Sequence, residues 1–252
     1  MGEGATNRMP ELGKDRFYRA WASGKGLCAF EAAVGETDLQ IFADFPLPAE
    51  ADAAIRRARR DIELYAVGHD GFIGSLEPLE VLPGAPDIVR KMCEAGWLYG
   101  VGPMAAVAGV VAEYVGRDLL GRSSQIIVEN GGDVFFTMSE PPTFGLYAGK
   151  HSPFTGKVRF APSEMTEGGV CTSSGTVGHS ISFGHADAVV ALANNTALAD
   201  AAATAIANSI RSAEDVQPAI DAEKERGILE GGLIAIGDAL GAWGSITILE
   251  GA

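Results

Sequence analysis

The sequence predicts an α+β protein built on antiparallel sheet. Three observations carry this expectation. Short strand-like runs come before and after helical segments, and the order strands, helices, strands recurs twice along the 252 residues. Leu47–Gly68 has a helical period, with Ala51, Ile55, Ala58, Ile62 and Tyr65 on one face and Arg56, Arg57, Arg59, Arg60 and Glu63 on others. Asn130-Gly131-Gly132-Asp133 separates two apolar runs, a hairpin signal because a type I′ turn requires positive φ at both central positions.

In order along the chain, residues 1–15 are polar and read as a loose segment. Arg16–Trp21, Leu27–Val34 and Leu39–Ala43 read as strands, the last two joined by a turn at Gly35-Glu36-Thr37. The Leu47–Gly68 helix follows, and its Arg-rich stretch is either a solvated face or an attractor for a ligand phosphate. Gly68–Gly84 is rich in turn formers. Pro86–Ala95 reads as a short helix and Pro103–Leu120 as a longer one, with proline near its start where a missing N–H costs nothing. Its small apolar residues leave little polar face, so it is expected to be buried, with Glu113 and Arg117 pairing near its exposed end. Strands are expected at Ser124–Glu129, Val134–Met138, Phe144–Ala148 and Lys157–Phe160. A loop at 171–178 then precedes strands near His179–Phe183 and Ala188–Leu192. Helices at Thr196–Arg211 and Ala213–Arg226 and short strands in Gly232–Ile236 and Ser245–Leu249 complete the chain.

A formal charge of −14 argues against nucleic acid or an anionic membrane as partner, because the electrostatic term would be repulsive. No apolar run approaches the ~20 residues of a membrane span, and no signal peptide is visible at the start. Cys28, Cys93 and Cys171 are odd in number and far apart, which fits a reducing compartment. The expectation is a cytoplasmic protein; a homo-oligomer is compatible with the sequence.

Site-type chemistry is concentrated between Gly168 and Asn208. Cys171-Thr172-Ser173-Ser174-Gly175 supplies a thiol, hydroxyls and backbone donors, and the following helix carries Asp200, Thr204 and Asn208 as one polar stripe. A carboxylate and a hydroxyl suit a hard cation such as Mg²⁺; the same stripe is what an exposed amphipathic helix shows. Cys171 is either a buried inert cysteine or a thiol activated by backbone N–H groups or a cation, with His179 or His185 in reach. The two histidines flanking 180–184 are acid/base or phosphate-contact candidates as well as structural ones. The 130–133 turn is a structural hairpin, or a bare backbone that a ring or phosphate can approach with Glu129 or Asp133 bonding the ligand.

Together these motifs resemble the ApbE superfamily of FAD-dependent flavin transferases. The similar pieces run in order: Gly102-Pro103 leading into a small-residue helix, Glu129-Asn130-Gly131-Gly132-Asp133, Thr172–Gly175, and Ala199-Asp200-Ala201-Ala202-Ala203-Thr204-Ala205. The resemblance implies a T-fold-like duplication of β-β-α-α-β-β units, with residues 16–252 forming a single domain of two intertwined halves. It also implies Mg²⁺ at Asp200 and Thr204, and a phosphate-bearing ligand such as FAD near Gly131, Gly132, Asp133, Thr172, Ser173, Ser174 and Gly175. FMN transfer would leave His179 as the acid/base candidate. The chain departs from the family where Thr176 replaces an Asp, Ala106 replaces a Lys, and His179–Gly184 stands in place of a D-P-x-T-G stretch. It thereby looks more like the family's uncharacterised cytoplasmic relatives. Two readings of other classes stay open: a sulfur-transfer protein carrying a persulfide on Cys171, and a non-catalytic binding or assembly protein.

Overall fold

The computed structural model describes residues 26–175 and 184–250. The 1–15 segment, the strands expected at Arg16–Trp21 and His179–Phe183, and His179 itself lie outside the described residues. β1 (Cys28–Val34) and β2 (Thr37–Ala43) form a hairpin, followed by α1 (Pro48–Val67), α2 (Asp87–Tyr99) and α3 (Val107–Leu119), the last entered through a 3₁₀ turn at Pro103–Ala106. β3 (Ile126–Asn130) and β4 (Asp133–Thr137) close this first run. β5 (Phe144–Gly145) and β6 (Val158–Pro162) lead to a second run of β7 (Glu167–Ser173), β8 (Ala188–Ala193), α4 (Thr196–Ser209), α5 (Val216–Arg226), β9 (Gly231–Ile236) and β10 (Ala239–Gly244), with β11 (Ile246–Glu250) last.

The eight-stranded sheet is ordered β1-β2-β3-β4-β7-β8-β9-β10, and β11-β6-β5 form a small second sheet. All these pairings are antiparallel. Each run contributes four neighbouring strands, and the two meet at the β4–β7 seam. The α+β class and the repeated β-β-α-α-β-β plan are therefore present, with one helix more in the first run.

Strand periodicity sorts the core into layers. Ile126, Val128, Phe135, Cys171 and Ala191 point into the helix layer. Their neighbours Ile127, Val134, Phe136, Val170 and Val190 meet the small sheet on the other face. With both faces covered, β8 and the first three residues of β3 read as unbroken apolar runs rather than alternating ones. Each fully buried side chain of this kind stabilises the fold by about 1.5–3 kcal/mol.

Glycines explain where the sequence misleads. Cys171, Thr172 and Ser173 lie in β7, not in a loop; Ser174 and Gly175 follow it, and 176–178 lie outside the described residues. Gly168-Gly169 hides this strand from a propensity reading. A Cβ on Gly169 would stand 2.6 Å from the Thr196 Cα, so the missing side chain is what lets α4 rest on β7. β10 escapes notice in the same way, since a Cβ on Gly241 would meet Ile220 and Val216 at 2.5 and 2.7 Å. α2 runs past its expected end at Ala95 and stops at Gly100, which adopts φ 69°. The 144–148 strand shortens to Phe144–Gly145, and the Thr196 helix ends at Ser209 rather than Arg211.

The arginines of α1 are engaged at the surface: Arg56 with Asp52, Arg57 with Asp118, Arg59 with Glu36 and Glu63, and Arg60 with Asp61. That is the solvated-face reading of the cluster. Among the described residues no single helix is long and apolar enough to cross a membrane.

Candidate functional site

The β3–β4 turn forms with both central glycines at positive φ, 70° at Gly131 and 112° at Gly132. Glu129 Oε1 accepts the Gly132 N–H at 2.8 Å, and Asn130 Nδ2 donates to the Ala108 carbonyl at 3.0 Å, tying the turn to the start of α3. The β4–β7 register, Val134 against Val170, brings Asp133 opposite Cys171 at the next pair. On α4, capped by Asn195 accepting the Leu198 N–H, Asp200 Oδ2 accepts the Gly109 N–H of α3 at 2.8 Å. Asp133, Cys171 and Asp200 thus converge beneath the helix layer, where β4, β7, α3 and α4 meet.

Gly109 sets this convergence. A Cβ there would lie 2.6 Å from the Thr196 carbonyl oxygen and 2.9 Å from the Asp200 Cβ. Gly109→Ala is expected to destabilise the protein by roughly 1–3 kcal/mol and to weaken any ligand held by Asp200. Urea unfolding checks the first effect; a loss below about 0.5 kcal/mol would show that the helices separate freely.

The buried cluster is electrostatically unbalanced. Asp133, Ser173 and Asp200 are all buried, at 8%, 6% and 8% exposure. Burial, and secondarily the charge on Glu129, raises the Asp133 carboxyl to about 7, against hydrogen bonds from the Cys171 thiol and the Thr172 backbone. Burial and then the Asp133 charge push Asp200 well above the ordinary carboxylate range, although the Gly109 and Ala108 backbone oppose this. No basic side chain among the described residues offsets either acid. Asp133 Oδ1, Ser173 Oγ and Thr196 Oγ1 are buried with no hydrogen-bond partner there.

Cys171 is fully buried and its Sγ donates to the Thr196 carbonyl at 3.4 Å. Burial, followed by the charges of Asp133 and Asp200, pushes the thiol well above its usual range. An activated cysteine needs the opposite surroundings. Ser173 shares the helix-facing side of β7 with Cys171, whereas Thr172 points to the other face by strand alternation. Thr204 stands one turn beyond Asp200 and is partly exposed. Gly175 and Gly184 are in close approach, a Cβ on Gly175 falling 2.1 Å from the Gly184 oxygen, which brings the two ends of 176–183 together. His185 is exposed, with Nδ1 against the Arg211 carbonyl at 3.2 Å.

Glu113 is the residue that helical spacing places wrongly. It pairs with Arg117 as expected, yet it is only 2% exposed, because its other oxygen accepts the Thr196 N–H at 3.0 Å and its first also meets Lys91. An acid in the middle of an otherwise apolar helix was the available signal. A cavity of about 530 Å³ lies where β8 begins and β9 ends, lined by Tyr147, Gly149, Lys150, His151, Asp187 and Asp238. Its size is that of a small-molecule pocket.

Residues 19–228 match the family described as AbpE bacteria. The chain belongs to this ApbE-like family. Its relatives include a UPF0280 protein of Methanocella arvoryzae, 39% identical over 84% of this chain and 87% of the relative. Another is a UPF0280 protein of Methanocaldococcus jannaschii, 41% identical over 78% of this chain and 82% of the relative. Among solved structures, the ApbE protein of Thermotoga maritima superposes with a TM-score of 0.57 at 13% identity, covering 82% of this chain and 94% of that one. The flavin transferase ApbE of Vibrio cholerae gives 0.54 at 11% identity, covering 87% and 97%. At these identities the structural likeness shows the ApbE fold alone.

Proposed function

We propose that this ApbE-like protein binds FAD together with Mg²⁺ at the β4–β7 seam and transfers FMN to an acceptor. The observation that carries this is the pair of buried acids, Asp133 and Asp200, beside a glycine turn and without a basic partner among the described residues. Such a pair calls for a hard cation, and Mg²⁺ is commonly held by one or two carboxylates completed by ligand phosphate. The donor set therefore fits the cation, with Asp200 as its anchor and Thr204 one turn further along the same helix. When bound, the cation would neutralise pyrophosphate charge in a protein of formal charge −14.

The chain's own groups supply the rest. Gly131 and Gly132 offer a turn whose backbone a ligand can approach closely, Gly132 being held by Glu129. Ser173 has a buried hydroxyl without a partner among the described residues, and Ser174 and Gly175 follow the end of the strand. His179 is the proton-transfer candidate under this reading, and the cytoplasm is the proposed location.

Titration with FAD and Mg²⁺, followed by flavin fluorescence, tests the reading. Binding in the tens of micromolar or tighter is expected, with Asp200→Ala weakening it by about 10- to 100-fold. No binding by the wild type, or equal binding by Asp200→Ala, would refute it and leave a non-catalytic scaffold as the better description. The sulfur-transfer alternative requires Cys171 to be alkylated at neutral pH ahead of Cys28 and Cys93, and its burial gives that no support.

A further inference from the structure

The proposed cation is anchored from one wall only, by Asp200 on α4. The facing wall carries an acid, Asp133, bonded by the Thr172 backbone and beside the Cys171 thiol, with one oxygen left over. Asp133 is the first residue of β4, 8% exposed, and its Oδ1 has no hydrogen-bond partner among the described residues. An unpartnered buried carboxylate oxygen is costly, so its retention calls for a ligand. Ser173 Oγ, on the helix-facing side of the adjoining strand, is orphaned in the same way.

We propose that Asp133 is a direct ligand of the cation, so that one divalent ion of the Mg²⁺ class is clamped between β4 and α4 by Asp133 and Asp200. This rests on the reading of Asp200 as a cation anchor. Among the described residues no three His, Cys, Asp or Glu side chains form a metal-binding group. Asp133 and Asp200 would supply its two carboxylates, its remaining positions falling to hydroxyl, water or ligand phosphate. That composition suits Mg²⁺ or Mn²⁺ and disfavours Zn²⁺, which takes four nitrogen or sulfur ligands in closed sites. It also assigns Asp133 a role in binding the ion, where the hairpin alone would ask only for a turn residue.

The structure constrains how the two acids are held. Asp200 Oδ2 accepts the Gly109 N–H at 2.8 Å and the Ala108 backbone also bonds the carboxylate, which holds it in place at the start of α3. The Asp133 side chain is bonded by the Thr172 backbone and lies beside the Cys171 thiol, a weak donor that a cation can outcompete. Cys171 then serves as a compact filler beneath the site.

The experiment uses the full chain and Mn²⁺ alone as probe, followed by the loss of its free-ion EPR signal, with and without FAD. The wild type is expected to bind Mn²⁺, and Asp133→Asn and Asp200→Asn each to weaken it by roughly tenfold or more. Wild-type affinity in Asp133→Asn, with loss only in Asp200→Asn, overturns the assignment of Asp133. Failure of the wild type to bind Mn²⁺ under both conditions overturns it too. FAD retention in the same samples, with EDTA present, decides the flavin reading separately. Circular dichroism verifies folding, and Asp133→Ser replaces the asparagine variant if that one does not fold, with the same two outcomes.

Discussion

Glu113→Ala is expected to destabilise the protein by about 3 kcal/mol, toward the lower end of the 3–5 kcal/mol typical of a broken buried ion pair. The carboxyl is 2% exposed and joins three elements: Arg117 on its own helix at 2.8 Å, Lys91 on α2 at 3.2 Å, and the first N–H of α4, at Thr196, at 3.0 Å. Burial alone would lift this acid, but Arg117, the Thr196 N–H and Lys91 outweigh it and hold the carboxyl below its ordinary range. Removing it strands a buried N–H and two cations; Lys91 and Arg117 are 26% and 44% exposed and recover part of the loss by hydration, which sets the figure at the low end. Glu113→Gln keeps an acceptor and is expected to cost less. Since Thr196 begins the helix that carries Asp200, FAD or Mn²⁺ affinity should fall in parallel. Urea unfolding measures the stability term, and a loss under 1 kcal/mol would mean that the N-terminus of α4 is held by its Asn195 cap alone.

Acidification should stabilise the metal-free protein. In the folded chain Asp133 is raised to about 7, chiefly by burial, whereas in the unfolded chain it returns to about 3.9. Between those values the folded state holds a proton that the unfolded state has released, so stability rises as the pH falls through the window and is lost again above about pH 7. Going from pH 8 to pH 5, this one group contributes on the order of 3 kcal/mol. Asp200, raised for the same reason, acts in the same direction. Thermal unfolding in EDTA should therefore show a midpoint that climbs toward pH 5, and Asp133→Asn should flatten the climb. A midpoint that falls steadily from pH 8 to pH 5 in EDTA would contradict the burial of an uncompensated acid. Saturating Mg²⁺ should shrink the slope.

Local signals were legible where one element decides the outcome. The Asn-Gly-Gly-Asp hairpin and the period of α1 depend on neighbours in sequence, and each occurs as its residues indicate. The Asp200 stripe could be placed on a helix, but not on its buried side, because an Ala-rich helix looks alike from any direction. What the sequence conceals is long-range contact made by absent side chains. Gly169, Gly109 and Gly241 look like weak points of strand or helix until Thr196, Asp200 and Ile220 are seen to occupy the space they leave. Glu113 was likewise assigned to solvent, since neither Thr196 nor Lys91 is near it in sequence.

The seam between β4 and β7 has a consequence for how such a protein could arise or be divided. Asp133 and the Gly109 amide come from the first repeat, and Asp200 and Cys171 from the second. A half-length chain on its own would have one wall of the pocket and nothing facing it. The duplication therefore did more than enlarge a sheet: it created the only place in the described chain where these two acids can face each other. Severed between Thr137 and Glu167, the halves would be complementary fragments, and a ligand gripping both walls would act as the clasp that rejoins them.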